Sequence, residues 1–130
     1  MMLDTPKVMG ILNITPDSFF DGGRYKGEKE ILFRVEKMLE YEAAIIDIGG
    51  YSTRPGAAEV SESEEISRVS GTIDTILKHF PDTNISIDTF RSSVARSAVE
   101  NGAVMINDIS GGTLDGNMFA TVAELDVPYV

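Results

Sequence analysis

Short unbroken apolar runs alternate along this chain with longer stretches in which apolar residues recur every three or four positions. Val8-Met9-Gly10-Ile11-Leu12 is the first run, and Glu28 to Glu42 then places Ile31, Leu32, Val35, Met38 and Leu39 at helical spacing. Ala43-Ala44-Ile45-Ile46 follows, and after a segment rich in Gly, Ser and Pro comes a second helical pattern through Ile66, Val69, Ile73, Ile76, Leu77 and Phe80. Ser61 and Glu64 have the spacing of a capping box at its start, and Pro81 stops it. Ile85-Ser86-Ile87 predicts a third strand, Val94 to Val99 a third helix with Gly102 as its left-handed cap, and Val104-Met105-Ile106 a fourth strand. A weaker fourth helix spans Met118 to Leu125, and Val127-Pro128-Tyr129-Val130 reads as the beginning of a fifth strand. Strands alternating with helices predict βαβ units and a parallel sheet in a single domain, 1–130, with no internal linker. Its strands are expected to be apolar on both faces.

The polar residues gather where each strand stops. Asn13, Asp47, Asp88, and Asn107 with Asp108 mark the four strand ends, which in parallel sheets and (β/α)8 barrels share one rim where ligands bind. Asn and Asp also favour turns and helix caps, and at Asp47, beside Gly49 and Gly50, turn fixing is the preferred reading. It serves less well for Asn13, Asp88 and Asn107, each at least two residues short of the next helix start. The segment from Asn13 to Gly27 is long for a strand-to-helix connection and reads as a lid. In Gly49-Gly50-Tyr51-Ser52-Thr53-Arg54-Pro55-Gly56, Arg54 is either a solvated charge or, beside backbone N–H groups freed by the glycines, an anion contact. Gly111-Gly112 permits close backbone approach on the same rim.

Composition narrows the partners. An apolar fraction of 42% and a charged fraction of 25% are those of an ordinary folded domain. Zero cysteines and one histidine, His79, remove thiolate and histidine metal clusters. Twenty-one acids against eleven bases give a net charge of −10, which argues against nucleic acid as the main partner. No run reaches membrane-span length and the N-terminus lacks a signal-peptide pattern, so a cytoplasmic protein with no membrane partner is expected.

Four stretches, "LNITPDSFFDGG" at 12–23, "DIGGYSTRPGA" at 47–57, "SIDTFRSSVARSAVENGA" at 86–103 and "INDISGG" at 106–112, resemble the pterin-binding family, most closely its dihydropteroate synthase members. The resemblance implies a (β/α)8 TIM barrel of which only about the first four βα units and the start of strand five are present, because such a barrel takes about 250 residues. It implies a transferase of folate biosynthesis that joins 6-hydroxymethyl-7,8-dihydropterin pyrophosphate to 4-aminobenzoate with Mg²⁺. Carried over motif by motif, Asn13 lies near the metal and pyrophosphate, while Asp88 and Asn107 hydrogen-bond the pterin. Thr53 and Arg54 sit by the pyrophosphate and aminobenzoate, and Phe19, Ser52 and Pro55 belong to loops that close over the aminobenzoate and touch sulfonamide inhibitors. Asp88 and Arg54 are the residues expected to carry the chemistry. Tyr51 stands where the family usually has Glu and Phe20 where a small Ser is common, which bears on loop contacts more than on the reaction. The family's later lysine, arginine and histidine lie beyond position 130, so the fragment alone is expected to be inactive and to self-associate, or to dimerise.

Three other readings compete. A pterin-dependent methyltransferase shares the Asp and Asn contacts but generally lacks the Thr-Pro-Asp-Ser-Phe and Ser-Thr-Arg-Pro-Gly loops. A flavodoxin-like receiver wants paired acids after its first strand, absent here. A half-barrel without catalysis that binds a partner is the third.

Overall fold

The strands and helices form in the expected order in a computed structural model that describes residues 3–14, 24–51 and 59–130, without the side chains of 24–26. The elements are β1 (Met9–Asn13), α1 (Arg24–Glu40), β2 (Ile45–Gly49), α2 (Glu62–His79), β3 (Ile85–Asp88), α3 (Ser92–Glu100), β4 (Met105–Asn107) and α4 (Met118–Leu125). α1 starts before the expected Glu28 and stops before Glu42. Glu42 itself takes the left-handed conformation, at φ 64°, and Ala43 N–H closes back on Met38 O at 3.0 Å. No glycine marks that stop, so the sequence pattern overran it. At α2, Ser61 Oγ accepts from Glu64 N–H at 3.2 Å as the capping pattern predicted. Gly102, at φ 117°, closes α3 as expected.

All strands are parallel and lie in the order β1-β2-β3-β4. Tyr129 continues this series beside β4 through a parallel bridge to Ile106, with Val130 N–H donating to Ile106 O at 2.9 Å. Each strand therefore joins the same growing edge. A doubly wound sheet reverses direction at a switch point, and this one does not. The helices pack side by side in chain order over one face. The fold is the first half of a (β/α)8 barrel.

The two faces of the sheet differ. Leu12, Ile46, Ile48, Ile85, Ile87 and Ile106 point to the helices and meet Val35, Val69, Ile73, Ile76, Val94 and Ala98 in the core. The opposite face carries Ile11, Asp47, Ser86 and Met105 in one row, and Asn13, Gly49, Asp88 and Asn107 in the next. The expectation of two apolar faces is thus corrected in part: beside Met9, Ile11, Ile45 and Met105 the inner face carries Asp47 and Ser86 and, at the rim, Asn13, Asp88 and Asn107. Apolar residues adjoin those positions in sequence, and period-two alternation is hard to see in strands only three to five residues long.

Candidate functional site at the strand ends

Parallel register puts Asn13 beside Gly49, Gly49 beside Asp88, and Asp88 beside Asn107, a straight row across the sheet at its C-terminal rim. Gly49 is the gap in that row. A Cβ placed there would stand 3.3 Å from Asp88 Oδ2 and 3.7 Å from Asn13 Oδ1, so the missing side chain keeps a space open between an amide oxygen and a carboxylate.

Asp88 has no hydrogen-bond donor among the described residues. Burial raises its carboxyl pKa to about 6, and the neighbouring charges of Asp47, Glu65 and Asp108 push the same way. Such a carboxylate lacks a cation or donor, which a ligand can supply. Asn107 differs in having one side-chain partner: its Nδ2 donates to Asp47 Oδ2 at 3.1 Å.

Asp47 is not the turn-fixing residue that its place before two glycines suggested. It is buried, its carboxylate faces across the sheet to Asn107, and burial raises its pKa. Ser86 and Asn107 lower that pKa in turn, although Ser86 Oγ and Asp47 Oδ1 are both buried without a hydrogen bond of good geometry. The signal that could have found Asp47 is register parity, since it lies two residues before Gly49 and so on the same face. The turn-fixing role belongs to Asp108. Its Oδ1 accepts from Ser110 N–H and Oγ, and its Oδ2 from Gly112 N–H and Tyr129 O–H, all between 2.7 and 2.9 Å. Gly112 serves that turn too, because a Cβ there would meet the Phe119 ring at 2.6 Å; its open side is taken by protein.

Behind the rim, Glu65 of α2 is fully buried and accepts from Thr89 Oγ1 at 2.7 Å and Arg91 Nη1 at 3.0 Å. Burial raises its pKa, and those two partners oppose the rise. The Arg91 guanidinium also lies 5.1 Å from the ring centres of both Tyr51 and Phe90, which meet edge to face. Tyr51, where the family resemblance leads one to expect Glu, is therefore tied to the β3–α3 connection by its ring. Sequence reasoning missed this cluster because its members are scattered over three elements.

The structure thus brings Asn13, Asp88 and Asn107 together. Phe19, Ser52, Thr53, Arg54 and Pro55 lie outside the described residues. Among the described residues no cluster of three His, Cys, Asp or Glu side chains suits a metal ion, and no helix is long and apolar enough to cross a membrane.

Comparison with known proteins agrees with this arrangement. The profile of the pterin binding enzyme family matches residues 9–130. A dihydropteroate synthase of Streptococcus pyogenes serotype M1 is 50% identical over 123 residues, covering 95% of this chain and 46% of that protein. The crystal structure of 7,8-dihydropteroate synthase from Vibrio fischeri ES114 superposes with a TM-score of 0.83 at 47% identity, over 99% of this chain and 46% of its own. Xanthomonas albilineans dihydropteroate synthase with 4-aminobenzoic acid gives 0.85 at 41% identity, over 99% and 47%. The chain spans less than half the length of each. With nearly the whole chain inside the matched region, and with its Asp and Asn residues in one rim row, the chain belongs to the pterin binding enzyme family.

Proposed function

We propose that this chain supplies the pterin-binding half of a dihydropteroate synthase, a cytoplasmic transferase of folate biosynthesis. The observation that carries the reading is the rim row itself, where the uncompensated Asp88 stands between the gap at Gly49 and the Asn107 amide. Such a wall offers hydrogen-bond acceptors and suits the amino and ring N–H edge of a pterin.

In the reaction the bond from the pterin methylene to pyrophosphate breaks, the 4-aminobenzoate nitrogen bonds to that carbon, and the nitrogen gives up a proton. Positive charge develops on the pterin as pyrophosphate departs. A part-buried carboxylate at Asp88 favours that charge more in the transition state than before it, which lowers the barrier. Arg54 and Thr53 are the candidates for holding the leaving group, and Phe19, Ser52 and Pro55 for covering the amine and excluding water.

Magnesium fits the donors in a limited way. Mg²⁺ keeps several waters and binds through substrate phosphates with few protein ligands. Asn13 Oδ1, exposed beside the Gly49 gap, is a suitable single oxygen donor, whereas no acidic cage exists among the described residues. When bound, the ion neutralises the pyrophosphate as its charge grows.

The test is condensation by the complete protein: pterin pyrophosphate and 4-aminobenzoate in, dihydropteroate and pyrophosphate out. Absence of product, with pterin binding equally absent, would overturn the reading.

A further inference from the structure

The floor beneath the rim row holds an arrangement that the reaction does not by itself require. Asp47 is 3% exposed and Ser86 fully buried, and each keeps a polar atom without a hydrogen bond. A buried, incompletely paired carboxylate disfavours folding, and an apolar pair of similar shape would pack there without that penalty. Among the described residues, the side-chain hydrogen bond of good geometry that Asp47 makes is to the Asn107 amide, at 3.1 Å.

That bond decides something. The oxygen and nitrogen of a side-chain amide are nearly alike in shape, so their placement follows from their partners. An ionised carboxylate accepts only. Asn107 must turn its NH₂ toward Asp47, which leaves its Oδ1 with no protein donor among the described residues. The rim then presents acceptors at two neighbouring positions, the Asp88 carboxylate and the Asn107 oxygen.

Resting on the pterin reading above, we infer that Asp47 is a positioning residue that fixes the Asn107 amide with its oxygen toward the ligand, and so makes the site select a heterocycle edge bearing N–H donors. With Asp47 gone, the amide is free to present its NH₂, and donor would meet donor.

The experiment is calorimetric titration of the complete protein with 6-hydroxymethylpterin and with its analogue carrying hydrogen in place of the 2-amino group. The ratio of the two affinities is the readout, because partial misfolding lowers both alike. Asn107→Ala should weaken pterin binding about tenfold, the scale of one lost hydrogen bond to a buried group. Asp47→Ala should reduce the pterin-to-analogue ratio about fivefold to tenfold, and adding it to Asn107→Ala should cost nothing more. Asp47→Asn keeps an oxygen that can accept from the Asn107 NH₂ and keeps the shape, so its loss should stay within about threefold. If Asn107→Ala binds pterin normally, the pterin reading itself fails. If Asn107→Ala is weak but Asp47→Ala keeps the wild-type ratio, or the two losses multiply, the positioning role is overturned. An Asp47→Asn loss as large as that of Asp47→Ala would overturn it too, showing that charge acts rather than amide orientation.

Discussion

One sheet presents two chemistries. On the helix side, Ile46, Ile48, Ile85, Ile87 and Ile106 are close to zero exposure and need no further partner. On the inner side, one residue away along the same strands, Asp88 stands without a donor among the described residues and Asp47 with half of its carboxylate unmet. Burial of the isoleucines favours the fold, whereas burial of the carboxylates disfavours it. The contrast separates residues that hold the chain together from residues held in readiness for something else.

The largest expected effect tests the stabilising side. Ile48→Ala removes a fully buried side chain from the core, and such truncations cost about 2–5 kcal/mol. Urea unfolding of the purified protein would measure it; a loss below 1 kcal/mol would mean that the helix side is not the source of stability.

Asp88→Asn acts on the opposite face and should do the opposite. Turnover of the complete protein should fall at least tenfold, since a hydrogen bond to a charged group contributes about 1.5–3 kcal/mol. Stability should rise. A carboxyl whose folded pKa is about 6, against an ordinary value of 3.8, binds its proton more tightly when folded. Stability therefore falls as pH climbs from near 4 to 6, and the amide escapes that loss. Above pH 6 the variant should be firmer by roughly 1 kcal/mol, allowing for solvent screening of a part-exposed group. Below pH 4 that advantage should vanish. Thermal melts of both proteins across pH 3.5 to 8 check the sign, and a variant less stable at pH 8 would break the comparison.

The smallest effect is at the gap. Gly49→Ala introduces a methyl 3.3 Å from Asp88 Oδ2, tight but tolerable. We expect stability to change by less than about 1 kcal/mol while pterin affinity drops several-fold in a fluorescence titration. Unchanged affinity would show that the ligand does not use this space.

The chain pattern made the alternation, the order of elements and the helix caps legible, because Ser61, Glu64, Pro81 and Gly102 act locally. It also placed Asn13, Asp88 and Asn107 on one rim, since a strand's end is visible from the residues that stop it. Asp47 and Asp108 were harder. Both are strand-end aspartates followed by paired glycines, and only register and hydrogen bonding show that Asp108 shapes a turn while Asp47 serves the floor. The Glu65–Arg91–Tyr51 cluster was hidden for another reason: contacts across three elements leave no periodic trace.

The single growing edge of the sheet bears on how the chain can be assembled. β2 needs only β1, β3 only β2, and Tyr129 only β4, so no strand waits for a later one to be inserted between existing neighbours. Each new unit finds its docking surface already made, and as the ribosome delivers the chain from its N-terminal end, ordering can keep pace with synthesis. The same arrangement makes the dependence one-sided: a fault in β1 or α1 removes the template for everything that follows, whereas one in α4 leaves the earlier units with theirs.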